Sequence, residues 1–237
     1  MDELQKKYGV DIIYEDNHLL IVNKKPSQIV QGDKTGDLPL TEIIKAYLKE
    51  KYNKPGNVYL GLVHRLDRPT SGLVVFAKTD KAASRLSKIF KDRDLSKTYW
   101  AVVQNPPPEK HGHLRHYLKK NEQKNKSFVV TENTLGAKKA ELKYSYLGKS
   151  DRYHLLEVEL LTGRHHQIRC QLAYIGCAIK GDVKYGFNRA NKDLSIHLHA
   201  RHIELIHPVK KELLQINAKP PTDPVWDYFL EMINDNL

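Results

Sequence analysis

Apolar residues alternate with polar ones along several stretches of the chain, and a period of two residues is typical of a half-buried strand. Shorter apolar runs rich in β-branched residues also favour strands over helices. Polar turn residues such as Glu15-Asp16-Asn17 separate some of these stretches. The pattern predicts strands at residues 12–14, 18–23, 58–63, 73–77, 97–103, 140–146, 156–160, 196–200 and 213–216.

Apolar residues at helical spacing predict four helices between these strands. Thr41 and Thr79 stand where the first two begin, and threonine there can cap free backbone N–H groups. Gly176 follows the third helix, and Asp223-Pro224 begins the fourth. Because strands and helices do not alternate regularly, the predicted class is α+β, with a mixed, largely antiparallel β-sheet flanked by helices.

The composition is that of a globular protein. Hydrophobic residues make up 40% of the 237 residues, and no apolar run approaches the roughly 18 residues that a membrane helix needs. The N-terminus lacks the apolar stretch of a signal peptide. We therefore expect a single domain over residues 1–237 that is monomeric, cytoplasmic and not bound to membranes.

The charge balance favours a polyanionic partner. Lys and Arg number 39 against 28 acidic residues, which gives a net charge of +11, and RNA or DNA is the first candidate for such a protein. Basic residues are dense in the segment 104–126, where they outnumber the acidic ones. This segment is either a solvated loop or an arm that contacts phosphates.

The first candidate for chemistry is His64-Arg65-Leu66-Asp67-Arg68, a polar turn between two apolar strands. Common motifs for nucleotide or serine hydrolysis are missing from the sequence. Cations on both sides of Asp67 favour its ionised form, and an anchored carboxylate can act as a nucleophile. From spacing alone, a structural aspartate paired with arginine is the simpler interpretation.

The second candidate is Thr162-Gly163-Arg164-His165-His166-Gln167-Ile168-Arg169, where a strand meets a helix. Backbone N–H groups at a helix start together with two arginines form a site for an anion such as an RNA phosphate. An ordinary capped helix with surface arginines explains the same residues equally well.

Together the two segments resemble the RluA-like pseudouridine synthases, which isomerise uridine to pseudouridine in ribosomal or transfer RNA. Members often carry an N-terminal S4 RNA-binding domain, and the roughly thirteen residues before Tyr14 are too few for one. We therefore expect the catalytic domain itself to select the target. The resemblance covers most of the chain and also includes residues 14–26, 97–99, 181–186, 198–200 and 207–208.

The resemblance implies a pseudouridine synthase fold with RNA in a central catalytic cleft, and neither a metal nor a cofactor. It identifies Asp67 as the catalytic aspartate, Tyr99 as the tyrosine that stacks on the base and assists proton removal from C5, and Arg169 as the arginine that pairs with the aspartate. Arg65 stands where the family inserts a side chain into the space of the flipped nucleotide. Attack on the sugar, attack on C6 and formation of a glycal all remain open as routes.

The other polar residues of the two segments are expected to bind RNA: His64, Arg65, Arg68, Arg164, His166 and Gln167. Large-subunit ribosomal RNA is favoured over transfer RNA as the target. The alternatives are a non-catalytic RNA-binding protein of the same fold and a nucleoside hydrolase. His197, His199, His202 and His207 lie close together in the sequence but lack a carboxylate or cysteine to complete a metal site, so none is predicted.

Overall fold

A computed structural model describes residues 2–33 and 35–234, and the chain forms two compact units. Unit 1 contains the residues up to Ser96 together with Ala200–Lys219. Unit 2 contains Lys97–His199 together with the residues from Pro220 onward. Each unit is therefore built from two separate stretches of the chain.

Unit 1 is a sheet with helices, and its strands follow the order β1-β2-β4-β10, with β3 on β4 and β11 on β10. The pairs β1–β2, β2–β4, β3–β4 and β10–β11 are antiparallel. The elements are α1 (Glu3–Tyr8), β1 (Ile12–Glu15), β2 (Leu19–Lys24), α2 (Leu40–Lys51), β3 (Gly61–Leu62), β4 (Ser71–Ala77) and α3 (Asp80–Asp92). The chain returns to unit 1 through most of β10 (Leu198–Ile206) and through β11 (Leu213–Asn217).

The centre of unit 1 is the β2–β4 pair, in which every residue of β4 is buried. Because β4 is apolar on both faces, other elements must pack against both. Helix α3 packs against β4 and buries Ala82 and Leu86, which lie on its apolar face. At the β1–β2 turn, the Asp16 carboxylate accepts the backbone N–H groups of His18 and Leu19, both at 2.8 Å. This bonding confirms the predicted polar turn.

Gly72 lies at the start of β4, five residues after Asp67, and its φ is +111°. A Cβ atom placed there would lie 2.4 Å from the carbonyl oxygen and 2.5 Å from the nitrogen of Ala200. Both neighbours are backbone atoms, which cannot move aside as a flexible side chain can. Only glycine therefore fits this position.

Unit 2 is a second set of antiparallel strands in the order β5-β9-β8-β6-β7. Its elements are β5 (Leu95–Val103), β6 (His111–Asn121), β7 (Lys126–Val130), β8 (Lys138–Lys149), β9 (His154–Leu160), α4 (Gln167–Tyr174) and α5 (Pro224–Asn234). The first two residues of β5 belong to unit 1, and the strand belongs to unit 2 from Lys97 onward. Trp100 and Trp226 are buried in one core cluster, and Cys170 lies in a second one with Leu118 and Tyr185.

The structure corrects several predicted elements. The basic segment 104–126 is not a loop throughout, because residues 111–121 form β6. The predicted strand 58–63 shortens to Gly61–Leu62, and beyond its C-terminal end the ring of His64, in place of a strand carbonyl, accepts the N–H of Val75 at 2.9 Å. Thr79 caps α3 as predicted, whereas Pro39 precedes α2 and Thr41 is not its cap.

The predicted class is confirmed, since the fold is a mixed and largely antiparallel sheet with helices. Among the described residues, no helix has the length and apolarity needed to span a bilayer. Cys170 and Cys177 are both buried free thiols.

Candidate active site

Asp67 lies in unit 1, in the loop between β3 and β4, and its side chain is half-buried. The loop turns back on itself because the backbone N–H of Thr70 donates to the carbonyl of Asp67 at 3.0 Å. The N–H of Ser27 donates to the carbonyl of Arg68 at 2.9 Å and ties this loop to the chain after β2. The carboxylate is thus carried by a loop that is held at several points.

Lys24, the last residue of β2, is buried beneath this loop with 1% of its surface exposed. Burial lowers the pKa of Lys24 to about 7, and the negative charge of Asp67 opposes this shift. The lysine and the aspartate are therefore electrostatically coupled. The Lys24 ammonium group donates to three backbone carbonyls, those of Lys25 (2.9 Å), Gln28 (3.0 Å) and Arg68 (3.1 Å).

The basic residues around Asp67 have different environments. His64 is half-buried, stacks on Phe90 with ring centroids 4.5 Å apart, and accepts a backbone N–H through Nε2. That nitrogen therefore carries no proton. Arg65 is exposed, and Arg68 forms a half-exposed ion pair with Asp37 at 2.8 Å. His64 thus has a structural role, and RNA contacts by these three residues stay a prediction.

The loop 162–166 of unit 2 is held in shape by Gln167, the first residue of α4. Its side-chain oxygen accepts the Thr162 hydroxyl at 2.6 Å and the backbone N–H of Arg164 at 2.9 Å. Its amide nitrogen donates to the carbonyl of Glu141 at 2.9 Å. The Arg164 side chain donates to the carbonyl of Lys139 at 2.8 Å. These bonds place Gln167 in the interior of the loop, and its predicted RNA contact is untested.

Arg169, on the buried side of α4, forms a two-pronged ion pair with Asp182. Its Nε donates to one carboxylate oxygen at 2.7 Å and a terminal nitrogen donates to the other at 2.8 Å. The two side chains are 5% and 1% exposed, so each would be an expensive buried charge without the other. The guanidinium also lies 5.1 Å from the ring centroid of Tyr185.

Tyr185 joins this pair to the loop that precedes α4. Its hydroxyl accepts the backbone N–H of Ser127 at 2.8 Å and lies 3.0 Å from Nδ1 of His166. Burial raises the pKa of Tyr185 well above its ordinary value, so the phenol stays protonated. His166, which is buried and has a positive φ of 52°, is thereby fixed at the helix start.

Within unit 2 the structure brings together Arg169, His166 and Gln167 of the second predicted segment. Tyr99 lies in the same unit on β5 and is 7% exposed. Asp67 belongs to unit 1. The predicted convergence of Asp67, Tyr99 and Arg169 on one uridine therefore stays a prediction.

Three residues that contact the Asp67 loop or Arg169 were not predicted from the motifs. Lys24 is the last residue of the buried strand β2, and a lysine at the end of an apolar run was the available signal. Asp182 and Tyr185 lie in Gly181-Asp182-Val183-Lys184-Tyr185-Gly186, which was part of the family resemblance but had no role assigned. Their roles depend on burial and on distant partners, which the local sequence does not contain.

The four clustered histidines each have internal contacts of their own. His197 lies 2.9 Å from the Asp223 carboxylate, and His199 packs edge-on against Trp226. His202 lies 2.9 Å from the Asn217 side chain, and His207 accepts the N–H of Lys210 at 2.9 Å. Among the described residues, no group of three or more His, Cys, Asp or Glu could hold a metal ion.

Sequence comparison matches residues 18–174 to the RNA pseudouridylate synthase family. The ribosomal large subunit pseudouridine synthase D of Zymomonas mobilis is 31% identical over 224 residues, which are 90% of this chain and 70% of that protein. The ribosomal large subunit pseudouridine synthase C of Rickettsia typhi is 34% identical over 227 residues, 92% of this chain and 71% of the relative.

Solved structures give the same result for the fold. Human RNA Pseudouridylate Synthase Domain Containing 4 aligns with a TM-score of 0.77 at 25% identity, and the alignment covers 98% of this chain and 95% of the human chain. Human RNA Pseudouridylate Synthase Domain Containing 1 aligns with a TM-score of 0.71 at 24% identity, covering 92% of this chain and 86% of its own. These likenesses agree with the predicted pseudouridine synthase fold.

Proposed function

The chain belongs to the RNA pseudouridylate synthase family, and we propose on that basis that it converts particular uridines of large-subunit ribosomal RNA to pseudouridine. It is an isomerase, because the uracil leaves the ribose at N1 and rejoins it at C5 without gain or loss of atoms. The relatives from Zymomonas mobilis and Rickettsia typhi are both named for the large ribosomal subunit, which supports this target over transfer RNA. We place this activity in the cytoplasm, where ribosomal RNA is available.

The observation that carries the proposal is the Asp67 carboxylate on its anchored loop beside the buried Lys24. The reaction needs one group that stays ionised next to the ribose and the base. Lys24 lies beneath the loop that carries the carboxylate and donates to the carbonyl of Arg68, and such loop contacts reduce the loss of entropy on binding substrate. In this proposal Asp67 attacks either the sugar or C6 of the base, or removes a ribose proton to give a glycal.

Tyr99 and Arg169 complete the proposed constellation. Tyr99 stacks on the uracil after the nucleotide leaves its helix, an extrusion that costs a few kcal/mol, and assists proton removal from C5. Arg169 pairs with Asp67 and offsets the desolvation of the carboxylate. Its pairing with Asp182 supports this role, because the guanidinium is already fixed on one side. Arg65, which is exposed, fills the space that the nucleotide vacates.

The test is an Asp67→Asn variant, assayed for pseudouridine in an unmodified large-subunit ribosomal RNA transcript and for tritium release from C5-labelled uridine. We expect a folded protein without either signal, since asparagine keeps the shape of the side chain and removes its charge. An Asp151→Asn variant is the matched control, because Asp151 is exposed in the turn before β9.

Activity retained in Asp67→Asn would overturn the catalytic assignment. Free uracil as the wild-type product would indicate a nucleoside hydrolase instead. Mapping pseudouridines in total RNA with and without the protein identifies the target, and new pseudouridine confined to transfer RNA would replace the ribosomal proposal. Unchanged function of Asp67→Asn in cells would favour a non-catalytic RNA-binding protein.

A further inference from the structure

The β6–β7 hairpin has two faces of different chemistry. In its register Lys119 lies opposite Phe128, and Tyr117 lies opposite Val130. Because side chains alternate along a strand, these four residues share one face. On the other face Leu118 packs into the core cluster with Cys170 and Tyr185. The face that carries Phe128 is therefore the one turned away from this core.

Phe128 is partly exposed on that face, with 38% of its surface accessible to solvent. The ammonium group of Lys126 lies 5.4 Å from its ring centroid. Beside the ring a groove of about 420 Å³ extends from Lys119 to the turn residues 121–123. An aromatic ring next to a groove and a cation offers a flat surface for stacking.

The surroundings of this ring are basic. Lys119 and Lys124 take part in no ion pair with any other described residue, and both are exposed. Lys120 is paired with Glu122 at 2.5 Å. Glu132 accepts a hydrogen bond from the Tyr117 hydroxyl, and Glu141, which lies opposite Arg115 of β6, is paired with Lys139. The acidic groups are thus already engaged, and the unpaired charge beside the groove is positive.

We infer that the Phe128 face of the β6–β7 hairpin is a contact surface for the RNA substrate, where one unpaired base stacks on Phe128 while Lys119 and Lys124 contact neighbouring phosphates. Every nucleobase has a flat face, so this contact tolerates any sequence, and the lysines complement the backbone charge. A paired base within a helix keeps its faces covered, which is why a single-stranded segment fits. This inference rests on the proposed function.

The test compares variants of the full chain for binding to a labelled oligouridylate and to an unmodified large-subunit ribosomal RNA transcript at fixed salt. Phe128→Ala removes the ring and Phe128→Trp keeps a stacking surface. Lys119→Glu is matched by Lys149→Glu, which changes the charge equally but lies at the far end of β8, roughly 35 Å along the strand from Lys138, the residue that pairs with Leu118 of the hairpin. Circular dichroism verifies folding of each variant.

We expect Phe128→Ala to bind oligouridylate about tenfold more weakly and Phe128→Trp to restore binding. Lys119→Glu weakens binding and lowers the slope of log affinity against log salt by about 0.7, whereas Lys149→Glu leaves both as in the wild type. For the transcript, kcat/KM falls in parallel with affinity. Wild-type affinity in both Phe128→Ala and Lys119→Glu would overturn the inference.

The two proposals can fail separately. If the wild type forms pseudouridine and the hairpin variants match it in affinity and kcat/KM, the surface assignment is wrong and the proposed function stands. If the variants lose affinity for RNA while the wild type forms no pseudouridine in ribosomal RNA, the proposed function is wrong. A hairpin that binds an acidic protein instead would leave RNA affinity unchanged in all variants.

Discussion

Lys24 links the stability of the protein to the geometry around Asp67, because its ammonium group satisfies three backbone carbonyls under the loop. We predict that Lys24→Met lowers the free energy of unfolding by about 1–3 kcal/mol at pH 6, where the ammonium form is present, since buried carbonyls lose their donors. Urea denaturation measures this change. The neighbouring Lys25 is exposed, and Lys25→Met serves as control. Equal stability of the two variants would contradict the role of Lys24.

Lys24 also makes the free energy of unfolding depend on pH, and the direction of this dependence follows from its pKa. Burial lowers the pKa of folded Lys24 to about 7, whereas the unfolded value is 10.5. Between these pH values the unfolded state holds a proton that the folded state lacks, so the Lys24 contribution to stability rises with pH. The stability difference between wild type and Lys24→Met should therefore widen from pH 7 to pH 10. A constant difference would show that Lys24 does not titrate in this window.

At the residue scale the sequence singles out candidate catalytic residues, but it does not single out the residues that hold them in place. Asp67 and Arg169 are recognisable because each stands in a short motif with several polar neighbours. Asp182 is not, because its importance comes from a bidentate pairing with an arginine thirteen residues away that is completely inside the protein. Gln167 is the opposite case. It stands in a motif that predicts RNA binding, but its side chain forms hydrogen bonds within the protein.

Among the helices, the two threonines expected to be caps provide a matched pair. The Thr79 hydroxyl accepts the N–H of Ala82 at 3.2 Å, whereas α2 begins after Pro39 without a side-chain cap. We predict that Thr79→Ala lowers the free energy of unfolding by about 1 kcal/mol and that Thr41→Ala changes it by less than about half that amount. Thermal or urea unfolding of both variants measures the difference, and equal losses would be inconsistent with this assignment.

The strands show why some elements were predictable from the sequence. A short apolar run located β4, which is buried on both faces, and the alternation of apolar and polar residues located β9. It missed β6, whose strand bears three histidines, an arginine and two lysines and has one fully buried residue, Leu118. Pairing with β8 on one side and β7 on the other forms this strand, and such tertiary pairing is invisible in a local hydrophobic pattern.

For the whole molecule, the net charge of +11 predicts a strong salt dependence of RNA binding. Each phosphate that a lysine or arginine neutralises releases a counterion, so affinity falls as a power of the salt concentration. We predict at least about a tenfold loss of affinity for ribosomal RNA between 50 and 200 mM salt, measured by filter binding. Circular dichroism in the same buffers controls for unfolding. An affinity that does not change with salt would contradict a binding mode dominated by phosphate contacts.

The fold class was predictable from the order of strands and helices, whereas the division of the chain was not. Each unit combines a long early segment with a short later one, as when Ala200–Lys219 joins the residues before Ser96. Local periodicity has no information on which distant segments pack together. The resemblance to a family indicated the fold, whereas the division into two units depends on tertiary packing.

The close approach of the Gly72 position to the Ala200 backbone has a consequence for mutational surveys. We expect a saturation screen scored by activity to find this codon intolerant, as it would that of the proposed catalytic Asp67, although glycine has no group that can react with uridine. Replacement by alanine would displace the peptide of the adjoining strand and, with it, the segment five residues upstream. Intolerance to substitution near Gly72 can therefore arise from steric clash as well as from loss of a reacting group. Measuring protein abundance in parallel distinguishes these two causes.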